Sequence, residues 1–355
     1  MIKLKPIKVL VTAAGAPGAS TLIRYLRNIA ERKVYVIGVD ASQECIGSFF
    51  ADAFESIPQA TEANYVDSLL AAAQKHEVDC VVVASSYEVE VVAPHVKLFE
   101  EIGIKILVSS AESLRIANNK KLLYQLFEND PKVRVPQFKV VNTLEQFIQA
   151  CESMGFPEKQ LCFKPPVSKG SRGFRYISHN ISRADLLLNY KPDSKYISID
   201  EMIDIFKNEN FFPELLVMER LSGEEIDSMV LAFDGEPLLI THKTREKERG
   251  GVITHGEHVE RPDIVEAIQT ILKKVKLSYN IGIQFMDGYL MEINPRLSTF
   301  LYMQDWVEPY FAIKFALGEY TNEDVKALQN KVPKDLRMIR YFDQHFFVKE
   351  KSMAV

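Results

Sequence analysis

Residues 289–298 read YLMEINPRLS, with Glu292, Asn294 and Arg296 at every second position and Met291, Ile293 and Pro295 between them. A strand sends alternate side chains to opposite faces, so the acid, the amide and the cation converge while the apolar groups pack behind. A carboxylate beside an amide oxygen suits a hard divalent cation, and a guanidinium suits a phosphate. A polar outer sheet face would show the same alternation, but Pro295 ends the strand where these groups sit. Gln284 lies in the apolar run IGIQFM, just before an MDG turn at 286–288. Antiparallel pairing across that turn can set it opposite Glu292, so Gln284, Glu292 and Asn294 could share one or two magnesium ions.

If this is half of a nucleotide site, the other half must lie elsewhere. KPPVSKGSRG places Lys164 on a strand, followed by a loop of Ser168, Lys169, Gly170, Ser171, Arg172 and Gly173. Its amides and cations could close over a triphosphate, although a solvated hairpin tip fits the same residues. Lys120 follows a turn at the start of a helix, where a cation can reach a phosphate; a solvated helix lysine is the plain alternative. In MERLSGEE, the turn after the strand could offer backbone groups to an adenine edge, and Glu225 could accept from ribose hydroxyls. GAPGAS (15–20) is a weaker phosphate candidate. No lysine follows Gly18 and the glycine spacing is wrong for a dinucleotide fingerprint, so a tight strand-to-helix turn accounts for it.

The elements that carry these residues fall into blocks. Apolar strands at 8–14, 34–40, 78–85 and 104–109 alternate with helices, which predicts a small doubly wound parallel sheet over residues 1–112. A helix over 113–129 is expected next, then a strand, a helix with Thr143 as N-cap, and two strands joined by the glycine loop. A helix SIDEMIDIFKNE falls within an otherwise unplaced polar stretch at 179–213. Residues 215–246 read as three strands with an Asp-Gly turn, followed by a helix at 262–276 and the hairpin carrying Gln284 and Glu292. The expected organisation is therefore an α/β domain (1–112), two α+β lobes (113–214 and 215–322) and an extension (323–355) whose aromatic stretch DLRMIRYFDQHFFV packs on the same molecule.

Composition sets outer limits. A chain of 355 residues exceeds one ordinary core, and its net charge of −5 gives no reason to expect nucleic acid or an anionic membrane as partner. Cys45, Cys80, Cys151 and Cys162 lack zinc or redox spacing and are expected to be reduced thiols. No apolar stretch approaches the roughly 20 residues of a membrane span, and the N-terminal run leads straight into a glycine turn. A cytoplasmic protein is expected.

In order, VTAAGAPGAS, NNKKLL, FKPPVSKGSRG, VMERLSGEE and GIQFMDGYLMEINPRLS resemble the ATP-grasp superfamily, most closely its carbamoyl-phosphate-synthase-like branch, over residues 8–300. The resemblance implies a pre-ATP-grasp α/β domain, then two lobes holding ATP between them. It implies that Lys120 and Lys164 contact the phosphates under the 168–173 loop. The backbone of Glu219 and Leu221 would read the adenine, and Glu225 would hold the ribose. Gln284, Glu292 and Asn294 would hold magnesium, or manganese in its place, and Arg296 would stabilise the transferring phosphoryl. The implied reaction is activation of a small carboxylate as an acylphosphate for attack by an amine.

The chain has one such unit and no glutaminase, so carbamoyl phosphate synthesis is not expected. Within 242–258, Lys243, Arg245, Arg249, His255 and His258 compete for a place at the phosphates, with the register open. Arg245, Arg249 and Arg296 fit an acidic substrate. Ser86, Glu88 and Glu90 either hold an amine or hydroxyl or cap the following helix. Rival readings are an enzyme that stops at phosphoryl or carboxyl transfer, a nucleotide-binding regulatory protein, and an oxidoreductase built on the first domain. Homodimerisation is compatible with each of them.

Overall fold

The computed structural model describes residues 4–168, 170, 172–179, 182–189, 195–249, 252–297, 303 and 305–347. Among them the strands form three sheets. The first holds β1 (Ile7–Val11), β2 (Val34–Asp40), β3 (Ala53–Ser56), β4 (Cys80–Val82) and β5 (Lys105–Leu107), all parallel, in the order β3-β2-β1-β4-β5. The sequence reading had four of these. β3 (AFES) was missed because it is short and only half-buried, without the valine run that marks its neighbours.

The second sheet holds β6 (Phe138–Val141), β7 (Leu161–Lys164), β8 (Arg175–Ile177), β9 (Tyr196–Ile197) and β10 (Leu215–Glu219), in the order β6-β10-β7-β8-β9. The third holds β11 (Glu225–Phe233), β12 (Glu236–Thr244), β13 (Lys247–Arg249), β14 (Val252–Val259), β15 (Tyr279–Met286), β16 (Tyr289–Asn294) and β17 (Arg337–Ile339). Its order is β13-β14-β12-β11-β15-β16, with β17 on β14. β10 thus belongs to the second sheet, and the site hairpin closes the third.

The helix expected over 113–129 is two helices. Ala111–Ala117 ends at Asn118, and Lys120–Phe127 begins afresh with Asn119 as N-cap, its side chain accepting from Lys121 and Leu122 amides. Asparagine competes with the helical backbone for hydrogen bonds, and two in a row break the helix. The break places Lys120 in a first turn. Thr143 caps Leu144–Ser153 as expected, accepting from the Gln146 amide. Ser198 caps the helix Ile199–Phe206.

The parallel domain is tied to the third sheet by the helix Glu308–Ala316, whose Tyr310 and Ile313 share a core with Val9, Leu22 and Leu239. Ion pairs seal the seam. Glu31 Oε1 accepts from Tyr310 Oη at 2.6 Å and Lys314 Nζ at 2.8 Å, and Arg32 Nη2 meets Glu319 at 2.5 Å. The tail crosses back over the first domain: Arg340 donates to the carbonyls of Ile253 and Pro17, and His345 stacks on Phe49 at 4.5 Å. The tail touches its own molecule through Arg340 and His345, while Tyr341, Phe342 and Phe346 remain largely exposed.

The short helix Ile46–Phe50 lies against the end of β1 so closely that a Cβ on Gly47 would stand 2.2 Å from the Ala14 carbonyl oxygen. Gly47→Ala should force that turn apart and cost about 1–3 kcal/mol, as overpacking does. Urea titration of the variant checks this.

All four cysteines are free and buried, and burial raises each thiol pKa, with Cys162 pushed up to about 11. Among the described residues no helix is long and apolar enough to cross a membrane.

Candidate active site

The hairpin β15–β16 sets Gln284 directly opposite Glu292 and Gly282 opposite Asn294. Pairing continues sideways: Gln284 faces Asp227 on β11, and Asp227 faces Lys243 on β12. One row, Lys243–Asp227–Gln284–Glu292, therefore crosses four strands on one face. Asn294 sits two residues along from Glu292 and donates Nδ2 to its Oε1 at 3.3 Å.

Two lysines reach this row from the other lobe, Lys120 at the start of its helix and Lys164 at the end of β7. Lys120 Nζ lies 3.4 Å from Glu292 Oε2 and 3.4 Å from the Ser168 carbonyl. Lys164 Nζ donates to Tyr124 Oη at 3.1 Å and to the Met291 carbonyl at 3.5 Å. Both lysines are buried. Arg296 enters from beyond the strand end. Its Nε donates to Ser86 Oγ at 2.6 Å and its Nη1 to the Leu297 carbonyl, which joins the site to the first domain.

These groups line one cavity of about 310 Å³, with Ser86, Asn118, Lys120, Lys164, Glu225, Arg245, Gln284, Glu292, Asn294 and Arg296 on its polar side. Phe174, Tyr176, Met286, Met291 and Ile293 add apolar surface. The lining, part apolar and part cationic, suits a purine nucleotide's base and its phosphates.

Charges inside are strongly coupled. Burial raises the Glu292 carboxyl pKa, but Lys120 and Lys164 outweigh it and hold the group below the usual carboxylate range. Burial lowers the Lys164 ammonium, with Glu292 pulling the other way. Arg296 is likewise lowered by burial against the charges of Glu292, Asp227 and Glu88. Burial raises Glu225, opposed by Arg245.

Of the glycine loop, Ser168 and Gly170 line the cavity, whereas Arg172 and Gly173 do not; Lys169 and Ser171 lie outside the described residues. Glu219 and Leu221 are also not among the lining residues. The Glu219 amide donates to the Gln137 carbonyl at 3.1 Å, because β10 continues its ladder there, so that amide is committed within the sheet. Glu225 lines the cavity beside Arg245.

The open register at 242–258 is settled by pairing. Lys243 is fully buried and pairs with Glu308 at 2.6 Å. Arg249 lies over the Phe342 ring, and His258 bonds to the Pro333 carbonyl. His255 pairs with Ile339 of β17. Of the five, Arg245 reaches the cavity. Asp227 escaped the sequence reading, although it stands two residues after Glu225 on the same strand and so shares its face. Glu88 is a cap: it forms a reciprocal capping box with Ser85 and accepts from Thr12 Oγ1 at 2.5 Å. Glu90 accepts from Asn118 at 2.6 Å.

A divalent ion fits the hairpin set. The set offers one carboxylate and two amide oxygens, and the Lys120 ammonium already stands beside Glu292 as a cation would. Among the described residues no group of three or more His, Cys, Asp or Glu side chains could hold a metal alone, so phosphate oxygens would have to complete the coordination.

A parallel α/β domain followed by two α+β lobes around a cationic cavity defines the ATP-grasp class. Comparison with known proteins agrees. Residues 9–107 match the family described as PylC-like, N-terminal domain. Residues 211–338 match the family described as ATP-grasp in the biosynthetic pathway with Ter operon. The chain is 25% identical over 216 residues to the carbamoyl phosphate synthase large chain of Pseudothermotoga lettingae, covering 57% of itself but 18% of that protein's length.

Two solved structures share the fold. One is biotin carboxylase from Campylobacter jejuni in an ATP-analogue complex, with TM-score 0.62 and 17% identity, over 90% of this chain and 73% of that one. The other is N5-carboxyaminoimidazole synthetase from Staphylococcus aureus with ADP, with TM-score 0.57 and 12% identity, over 93% and 78%. The chain thus carries a PylC-like N-terminal match ahead of an ATP-grasp match, on a fold shared with ATP-grasp structures.

Proposed function

We propose that the protein is a magnesium- and ATP-dependent ligase that activates a small carboxylate as an acylphosphate and passes it to an amine. The observation that carries this reading is the convergence of Lys120, Lys164 and Arg296 on the row ending in Gln284 and Glu292, within one cavity. In this reading Lys120 and Lys164 hold the phosphates, with Ser168 and Gly170 covering them. Glu225 holds the ribose, and Arg296 faces the transferring phosphoryl. Gln284, Glu292 and Asn294 would hold magnesium, which supplies charge neutralisation at the phosphate oxygens when bound.

A carboxylate oxygen of the substrate attacks the γ-phosphorus, and the bond to the β–γ bridging oxygen breaks, releasing ADP. The amine nitrogen then attacks the acyl carbon, the carbon–oxygen bond to phosphate breaks, and the nitrogen loses a proton. Both steps call on placed cations rather than on covalent chemistry by the protein. A dry cavity matters equally, because water would hydrolyse the acylphosphate.

The test is release of ADP and phosphate from magnesium-ATP across a panel of amino acids, other carboxylates and bicarbonate, with mass spectrometry of products. A new amide mass is expected. ADP with a phosphorylated or carboxylated product would shift the reading to transfer, and no ADP with any pair despite ATP binding would favour a regulatory protein.

A further inference from the structure

We propose that Arg245 selects the acidic substrate by taking its carboxylate, and that Glu225 holds Arg245 in reserve until nucleotide claims Glu225. This rests on the nucleotide reading above. Three acids surround the guanidinium. Nε lies 2.6 Å from Glu225 Oε1, Nη2 lies 3.2 Å from Glu248 Oε2, and Nη1 lies 3.8 Å from Asp227 Oδ2. The shortest contact is a charge contact only, since Nε is buried yet makes no directed hydrogen bond. The backbone is fixed more firmly: the Arg245 amide donates to the Glu225 carbonyl at 3.0 Å where β12 ends. The side chain is thus anchored at its root and, through the Nη2 bond to Glu248, at its tip, while its contact with Glu225 through Nε is undirected.

The other cations of the cavity differ from it: Lys120 and Lys195 also meet carboxylates but carry an ammonium without a fork, and Arg296 has the fork but donates to a hydroxyl and a carbonyl. Lys120 sits on Glu292 and the Ser168 carbonyl, Lys164 on Tyr124 and the Met291 carbonyl, and Arg296 on Ser86 and the Leu297 carbonyl. Arg245 is held by carboxylates, which is the chemistry that an acid substrate offers. A guanidinium presents a planar fork that matches a carboxylate through two parallel N–H···O bonds. Ribose hydroxyls donating to Glu225 would compete for the oxygen that Arg245 now touches. The freed fork lies in the same cavity as Arg296 and the hairpin ligands, where an acid must sit to meet the γ-phosphoryl. Glu248, whose other oxygen meets Lys195 at 3.0 Å, and the fully buried Asp227 keep Arg245 from leaving. Nucleotide first, acid second, is the order this arrangement imposes.

Calorimetric titration with magnesium and AMP-PNP, a non-hydrolysable ATP analogue, separates the possibilities. Arg245→Gln removes the competitor, so AMP-PNP should bind about three- to tenfold tighter. With the panel acid that supports the fastest wild-type ADP release, its KM should rise about a hundredfold. Arg245→Lys keeps the charge but lacks the fork. It should fold as the wild type does and recover only part of the acid KM. In Glu225→Gln/Arg245→Gln the gain in AMP-PNP affinity should vanish.

Weaker AMP-PNP binding by Arg245→Gln, with the acid KM unmoved, would make Arg245 a structural strut and overturn the proposal. Tighter binding that persists in the double variant would overturn it as well. If wild-type protein does not bind magnesium–AMP-PNP, the nucleotide reading itself fails, which is a separate result.

Discussion

Glu292→Ala should lower acid-dependent ADP release by at least about a thousandfold while leaving the fold in place, the scale seen when a placed electrostatic group is removed from a reaction centre. Glu292 is the one carboxylate of the proposed metal set, and its side chain keeps 34% of its surface exposed, so packing loses little. What is lost is the counter-charge to two buried lysines. Lys164→Ala should be equally inactive. Circular dichroism and thermal melting must show folded protein in both cases; an unfolded variant, or one with full turnover, removes the residue from the proposed role.

The same pair sets a pH limb. Burial holds Lys164 below the ordinary lysine range, and Glu292 opposes that shift. The ammonium is present below its lowered pKa and disappears as pH rises through it, so ATP binding should fall off on the alkaline side earlier than an ordinary lysine would dictate. Glu292→Gln removes the opposing charge and should move that limb to still lower pH. The acid side has the reverse sign. The carboxyl of Glu292 is depressed in the folded protein, so its ion pairing stabilises above the unfolded carboxylate range and fades as pH falls through the folded value. A pH series of AMP-PNP affinity for wild type and Glu292→Gln reads both limbs.

The sequence reveals part of the site hairpin because period two is a rigid rule: Glu292 and Asn294 must share a face, whereas Gln284 comes opposite Glu292 only through a register shift between Gln284 and Phe285 that follows the two-residue turn Asp287–Gly288. The parallel domain shows through its valine runs, whereas β3 does not, having no such run. Arg245 could not be separated from its four rivals. Strand alternation puts Lys243 and Arg245 on one face, and only the position of Glu308 against Lys243 decides that Lys243 is buried in an ion pair. That position depends on a helix more than sixty residues away, beyond the reach of local pattern. The break before Lys120 was legible in NN, but the continuous apolar periodicity on both sides concealed it.

Burial of Lys243 has its own consequence. Its Nζ meets Glu308 Oε2 at 2.6 Å with neither side chain more than 2% exposed, and Thr241 Oγ1 donates to the other oxygen at 2.6 Å. Trp306 Nε1 adds a longer contact at 3.4 Å. The strand carrying Lys243 faces Asp227, so this pair is the far end of the row that reaches Gln284 and Glu292. Taking one partner away leaves the other charge in the interior without its nearest counter-charge, which costs about 3–5 kcal/mol, several times what an exposed pair contributes. Glu308→Ala should therefore shift the urea midpoint strongly, and Lys243→Ala comparably. Replacing both with methionine restores apolar packing and should recover most of the loss. Were the double variant as unstable as the singles, the pair would be doing more than cancelling charge. Its lysine would then be needed to hold Asp227, and ADP release would fall with stability. If the double variant instead regains both stability and turnover, the row's working end begins at Asp227.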